Sequence, residues 1–385
     1  MKKIGVGVIG VGFIGPVHIE AVRRLGFAEV VAISDNNQAV ADAKASEYHI
    51  PKAYGDYIEL INDPNVECVH ITTPNYLHFP MAKAAIAAGK HVLCDKPLAM
   101  TSVESAELVR LAKEAGVVAA INFNLRFYPL AHQVKAMIDN GELGEIFAIN
   151  GSYQQDWLQK ETDYSWRLEP DQSGDSRAIA DIGSHWLDLI EFMTGRTVSR
   201  VCADFATFFP TRKKPLKPVE TYSGKILTAE DYQDVPIETE DYATVLLHFE
   251  NGAHGSVTVN QVAAGRKNRL FFEIYGSKKS VCFDSEKPNE LWIGERDTYN
   301  GSLIRDPSLL VPVARDIVSY PGGHNEGFAD TFKQCFNKLY TYIKDEGHKK
   351  GLPATFPTFE DGHRELLLCE AIVDSAKAER WLEVK

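Results

Sequence analysis

The spacing of hydrophobic and polar positions changes texture once along the chain. Over residues 4–9, 30–33, 66–71, 91–94 and 117–121, short and almost wholly apolar runs alternate with longer stretches of helical spacing. Such runs predict strands covered on both faces, and their alternation with helices predicts a parallel sheet. From Glu145 the pattern becomes a two-residue alternation through Ile146, Ala148, Asn150 and Ser152. Strand-like runs follow near 199–209, 242–249, 254–262, 269–275 and 280–284, which predicts a largely antiparallel sheet. Helices are expected over 176–192, through Phe328, Phe332, Phe336 and Tyr340, and over roughly 359–381. The polar stretch 210–240 carries Pro210, Pro215, Pro218 and Pro236 and reads as a long connection, a lid or a linker. Its basic cluster Arg212-Lys213-Lys214 reads as solvated surface. The expected class is α/β, with a first domain at 1–123. An α+β domain at 124–385 follows, built on an open, mainly antiparallel sheet, and the C-terminal helix is able to pack back on the first domain.

The first strand ends in Gly10-Val11-Gly12-Phe13-Ile14-Gly15 and leads into a helix. A strand-to-helix turn exposes helix N-terminal amides and the positive end of the helix dipole, which together attract a pyrophosphate. Gly10 permits the tight turn, Gly12 lets a phosphate approach, and Gly15 lets the helix pack close to the strand, as in a Rossmann dinucleotide site. Gly10, Gly12, Phe13, Ile14 and Gly15 are therefore candidate cofactor contacts. The second apolar run ends in Asp35, twenty residues beyond Gly15. A carboxylate there holds the ribose hydroxyls of NAD and repels the extra phosphate of NADP, and Asn36 and Asn37 supply no offsetting cation. NAD is the expected cofactor.

Two later strands deliver polar residues to the same edge of the sheet, where open α/β sheets bind ligands. The third run is followed by Thr73, Pro74, Asn75 and His78, which read either as cofactor contacts or as a turn with a surface histidine. The fourth delivers Asp95-Lys96-Pro97. A lysine before proline is held extended, which aims its amine off the strand end; the alternative is a solvated lysine.

Composition narrows the partners. A formal charge of −12 over 385 residues argues against general affinity for nucleic acid or an anionic membrane. No apolar run approaches a membrane span and Met1-Lys2-Lys3 runs straight into the first strand, so a cytoplasmic protein is expected. The six cysteines have no short metal-ligand spacing and are expected as free thiols, mostly buried. His324 and Glu326 make only a weak metal pair, and no metal is expected.

In the second domain Asp181 and His185 lie four apart, on one face of the expected helix, with Asp188 a turn further on. They read as a catalytic pair or as a helix-surface pair. Trp157, Trp166 and Arg167, shortly before this helix, are candidate sugar contacts, the tryptophans having core packing as their alternative.

With Asp95-Lys96-Pro97 and Asp181-Ile182-Gly183-Ser184-His185 together, the sequence resembles the glucose-fructose oxidoreductase / inositol dehydrogenase / MocA family. The glycine motif, the loop from Thr73 to His78, Asn122 and Arg126 extend the likeness over nearly the whole chain. The resemblance implies a Rossmann domain followed by an open-sheet domain that serves in oligomer contacts, hence a homodimer or homotetramer. It implies cofactor contacts from Thr73, Pro74, Asn75, His78, Asp95, Lys96, Asn122 and Arg126. It also implies catalytic roles for Lys96, Asp181 and His185, and a sugar or cyclitol substrate. The chain departs from the family at Ser173-Gly174-Asp175-Ser176-Arg177, where many members have three small residues; Asp175 and Arg177 are expected to be able to reach substrate.

The expected reaction is oxidation of a ring secondary hydroxyl of a sugar, sugar derivative or inositol. His185 would take the proton, Asp181 would orient it or bind a neighbouring hydroxyl, and Lys96 would steady the alkoxide while NAD accepts the hydride. Two alternatives stay open: a glycosidase that oxidises transiently and returns the hydride, and a non-catalytic NAD-binding regulator.

Overall fold

A computed structural model describes residues 3–216 and 229–385. The chain forms two compact units, Met1–Phe127 with Phe328–Leu366, and Tyr128–Gly327 with Leu367–Lys385.

The first unit is built on six parallel strands: β1 (Ile4–Ile9), β2 (Ala28–Ser34), β3 (Ala53–Tyr54), β4 (Cys68–Ile71), β5 (His91–Cys94) and β6 (Ala119–Ile121). Their spatial order is β3-β2-β1-β4-β5-β6. The order reverses at β1 and β4, which is where an open sheet leaves room for a ligand beyond its strand ends. Every residue of β1 is buried, as a central parallel strand requires. Ile9, Val69, Ile71, Val92 and Ile121 pack with Phe123 and with Phe359 and Leu366 of the helix Phe359–Ala378. The helix Phe328–Lys344 presents Phe332, Phe336 and Tyr340 to the rings of His18 and His70, which lie 4.9 and 5.0 Å from that of Phe336.

The second unit carries β7 (Ile146–Gln154), β8 (Val198–Ala206), β9 (Thr211–Pro215), β10 (Tyr232–Pro236), β11 (Tyr242–Phe249), β12 (His254–Asn260), β13 (Arg269–Gly276), β14 (Lys279–Asp284), β15 (Glu290–Glu295), β16 (Gly301–Ile304) and β17 (Leu382–Glu383). Nine of them form one sheet in the order β16-β15-β14-β13-β7-β12-β11-β8-β17. Only β7 and β12 pair parallel; the other neighbours are antiparallel. The helix Ser184–Thr194 packs on this sheet through Trp186, which is fully buried and donates its indole N–H to the Phe271 carbonyl at 2.9 Å. A Cβ on Gly151 would strike that indole, so the close approach needs glycine there.

Two expectations are corrected. The stretch 210–240 is not a plain connection, since β9 and β10 pair antiparallel over five residues each; positions 217–228, including Pro218, lie outside the described residues. Arg212 is not solvated but fully buried, because Asp241 and two carbonyls wait for it in the interior.

Candidate functional site

In the first unit, the glycine turn and the strand ends are tied together by hydrogen bonds. Gly10 sits at φ +88, a left-handed conformation, and a Cβ there would lie 2.9 Å from Thr73 Cγ2. A Cβ on Gly15 would run into the Gly10 carbonyl. Gly12 differs, because nothing lies within 4 Å of where its Cβ would be. The space there is open, at the N-terminus of the helix Gly15–Arg23. Asp35 reaches back to this turn: Oδ2 accepts from the Val11 amide at 3.2 Å and Oδ1 from the Asn36 amide at 2.8 Å. Phe13 is exposed beside Gly12 and Ile14 half-buried.

Thr72 Oγ1 donates to the Gly10 carbonyl at 2.6 Å, fixing the β4 end against the turn. Asn75 and His78 are buried, which corrects the surface-histidine alternative. The His78 ring faces two carbonyls, Thr73 O at 2.9 Å and Pro97 O at 2.6 Å, and so joins the loop after β4 to the one after β5. Burial lowers the pKa of His78, against the pull of those carbonyls and of Asp95. Asn122 Nδ2 donates to Asp95 Oδ1 at 3.2 Å. Lys96 is half-buried on this turn, and Arg126 pairs with Asp361 at 2.8 Å.

In the second unit, the expected helix 176–192 is not one α-helix. Ile179–Gly183 forms one wider, π-helical turn, in which the Ser184 amide donates to the Ile179 carbonyl, and the α-helix begins at Ser184. Such a turn inserts a residue and re-aims side chains, and it recurs at functional sites. Asp181 lies in that turn; His185 and Asp188 are buried in the helix that follows, so the surface-pair alternative is excluded. Asp181 Oδ2 accepts from Gln261 Nε2 at 2.8 Å, and Arg167 Nε lies 3.5 Å from Oδ1. The Arg167 guanidinium stacks over the Trp166 ring at 4.6 Å, so these two and Asp181 form one group. The Tyr153 ring is 6.3 Å from that of His185. Trp157 donates to Gln155 at 2.9 Å and packs on a small cluster of Leu158, Leu168 and Ile237.

Arg177 does not reach out to substrate. It is buried, donating Nη1 to Gln261 Oε1 at 3.0 Å and Nε to Thr239 Oγ1 at 3.2 Å, with Nη2 on Asp241. Asp175 is exposed and lies 3.5 Å from Lys377. Arg212 also donates to Asp241 Oδ1, at 2.9 Å. Burial pushes the Asp241 carboxyl up, but Arg177 and Arg212 outweigh it and hold it below its ordinary value. Burial lowers the Arg212 pKa against the pull of Asp241. Glu240 accepts from Ser176 Oγ and from the Arg177 and Ile179 amides, pinning the entry to the π-helical turn.

Sequence reading missed Gln261, Thr239, Glu240 and Asp241, and in the first unit Thr72, His18 and His70. A signal existed for some of them: three consecutive polar residues directly before a strand, and a histidine three positions after Gly15 on an otherwise apolar helix face. Glu326 is buried against Arg305 at 2.8 Å, while His324 is exposed. Among the described residues no group of three or more His, Cys, Asp or Glu is placed to hold a metal, all six cysteines are free, and no helix is long and apolar enough to cross a membrane.

Residues 4–123 match the model of an oxidoreductase family with an NAD-binding Rossmann fold, and residues 131–282 that of the GFO/IDH/MocA C-terminal domain. Levoglucosan dehydrogenase of Pseudarthrobacter phenanthrenivorans is 31% identical over 403 residues, covering 100% of this chain and 99% of the relative. Myo-inositol 2-dehydrogenase of Thermotoga maritima is 26% identical, covering 99% and 98%. A solved levoglucosan dehydrogenase in complex with NADH and levoglucosan superposes with a TM-score of 0.87 at 29% identity, covering 100% of both chains.

Proposed function

Because the chain belongs to the Gfo/Idh/MocA oxidoreductase family, with an NAD-binding Rossmann fold at residues 4–123, we propose that it oxidises a ring secondary hydroxyl of a sugar, anhydrosugar or cyclitol. The observation that carries this reading is Asp181, set in a π-helical turn four residues before the buried His185 and flanked by Arg167 on Trp166. A carboxylate and a guanidinium side by side bind vicinal hydroxyls, an indole face packs on a sugar ring, and an imidazole four positions on is a base for the hydroxyl that reacts. Full-length likeness to a levoglucosan dehydrogenase points to the same substrate class.

The residues are assigned as follows. The open Gly12 cradle and the helix amides behind it would hold the pyrophosphate of NAD, and Asp35 its ribose hydroxyls, so the residues present fit the cofactor. When bound, NAD supplies the hydride acceptor. Thr73, Pro74, Asn75, His78, Asp95, Asn122 and Arg126 shape the rest of that pocket. His185 takes the hydroxyl proton, an imidazole being able to accept and release it near neutral pH. Lys96 offers an ammonium where negative charge develops on the substrate oxygen, and Asp181 holds the ring in place. In this reading the first unit, Met1–Phe127 with Phe328–Leu366, serves the cofactor and supplies Lys96, and the second, Tyr128–Gly327 with Leu367–Lys385, serves the substrate. Leu246 and Trp292, both exposed, lie on one row across the nine-stranded sheet, with Ser256, Asn150, Glu273 and Cys282 between them. We assign that face to self-association as a dimer or tetramer, which sedimentation measures.

The test is NADH formation, followed by its near-ultraviolet absorbance, with anhydrosugars, monosaccharides and inositols offered in turn. Reduction by a cyclic polyol is expected. Tight NAD binding without reduction by any polyol overturns the reading, and cleavage of a glycoside in that case identifies transient internal oxidation instead.

A further inference from the structure

The Gln261 side chain stands between two charges. Its Nε2 donates to Asp181 Oδ2 at 2.8 Å and its Oε1 accepts from Arg177 Nη1 at 3.0 Å, with the residue fully buried just past the end of β12. Either end of a primary amide fits such a space, but only one orientation satisfies both neighbours. A guanidinium has donors alone, so Arg177 takes the oxygen and the N–H is left for Asp181. Arg177 is itself fixed by Thr239, by Asp241 and, through its own amide, by Glu240. Asp241 is shared with Arg212 of β9 and accepts from the Phe208 and Phe209 amides at 2.7 and 3.1 Å.

We propose that Gln261 is a positioning residue for the reaction: one amide N–H fixes the Asp181 carboxylate, and Arg177 decides which end of that amide faces it. An N–H donor holds a carboxylate in its charged form and in one rotamer, so Asp181 meets substrate as a preset acceptor. The buried arginines therefore serve the site without touching substrate. This inference rests on the catalytic reading of Asp181 given above.

Gln261→Glu is the informative variant. The new carboxylate still accepts from Arg177, so the buried guanidinium stays paired, while Asp181 loses its donor and gains a like charge. NAD affinity is expected to stay at the wild-type value and turnover to fall about 10- to 100-fold. The acid limb of the kcat profile is expected to move up by about one pH unit, since a neighbouring carboxylate favours protonation. Gln261→Met removes the donor without adding charge, so it lowers turnover with a smaller shift; it carries the test if the glutamate variant fails to fold. Wild-type turnover and pH profile in a folded variant overturn the inference while leaving the function intact. If the wild-type protein binds NAD but oxidises no polyol, the functional reading fails separately. The inference is then decided by carbon-13 titration of the Asp181 carboxyl, assigned with Asp181→Asn: a raised midpoint in Gln261→Glu supports it and an unchanged one overturns it.

Discussion

His18 Nδ1 lies 3.0 Å from His70 Nδ1, both rings wholly buried in the first unit. The proton positions follow from the neighbours. Asn122 must turn its NH2 toward the Asp95 carboxylate, and the same nitrogen meets His18 Nε2 at 3.3 Å, which is therefore an acceptor. His18 then carries its proton on Nδ1 and donates a hydrogen bond with it to His70 Nδ1. His70 carries its own on Nε2 and donates to the Tyr340 hydroxyl at 2.6 Å. Burial holds His18 at a pKa of about 4 and His70 well below the ordinary value, so both rings are neutral in the folded protein.

Acid is expected to destabilise this unit as pH falls below about 6.5. An unfolded histidine binds a proton near pH 6.5, whereas His18 does so only near pH 4. Between those values the unfolded chain holds more protons, so stability falls as pH falls. His18 alone would withdraw on the order of 3 kcal/mol by pH 4. Denaturant titrations at pH 7, 6, 5 and roughly 4 measure it, and His18→Asn should flatten the slope. An equal slope in wild type and variant would show that the ring is not the source.

Two glycines of one turn are expected to fail differently. Gly10→Ala meets Thr73 and a positive φ, so it costs roughly 1–3 kcal/mol of stability. Gly12→Ala meets no protein atom within 4 Å and should leave stability nearly unchanged. Its methyl group enters the phosphate cradle, so NAD binding is expected to weaken by about tenfold or more. Thermal unfolding with and without NAD separates the two effects.

Asp35→Ser is expected to lower kcat/KM with NAD and raise it with NADP, narrowing their ratio by about ten- to a hundredfold, since it removes one repelled charge. A ratio that stays at the wild-type value would place cofactor choice on other residues.

Lys96→Ala and His185→Ala should each lower kcat by about 10²- to 10⁴-fold, with NAD affinity within a few-fold of wild type. Stopped-flow single turnovers and NAD titrations by fluorescence give the two numbers. Either variant turning over normally would remove that residue from the mechanism.

Asp241→Asn leaves Arg177 and Arg212 buried without their shared counter-charge. A loss of about 3–5 kcal/mol is expected, read as a drop in Tm. The Arg177→Met and Asp241→Leu pair should recover part of that loss, because one charge of each sign leaves together.

The first unit was legible because its signals are local. The apolar runs, the glycine spacing and the carboxylate after the second run are set within a few residues of one another, and β1, β2, β4, β5 and β6 lie where the runs are. The second unit hid more. Arg212 looks solvated beside two lysines, and its burial depends on Asp241, twenty-nine positions on. The π-helical turn at Ile179–Gly183 has no periodic mark, since it is held by Glu240 from the foot of another strand. Gln261 is one amide among many until Arg177 and Asp181 are placed on either side of it. Strand β3, two residues long, is too short for any alternation to show.

The bond between His70 and Tyr340 spans 270 positions. During synthesis the parallel sheet and its glycine turn leave the ribosome early, while the helix that covers His18 and His70 waits behind two hundred intervening residues. At ordinary elongation speeds that delay is on the order of tens of seconds. For that interval the nascent amino-terminal sheet lacks the Phe332, Phe336 and Tyr340 rings that will cover its two histidines.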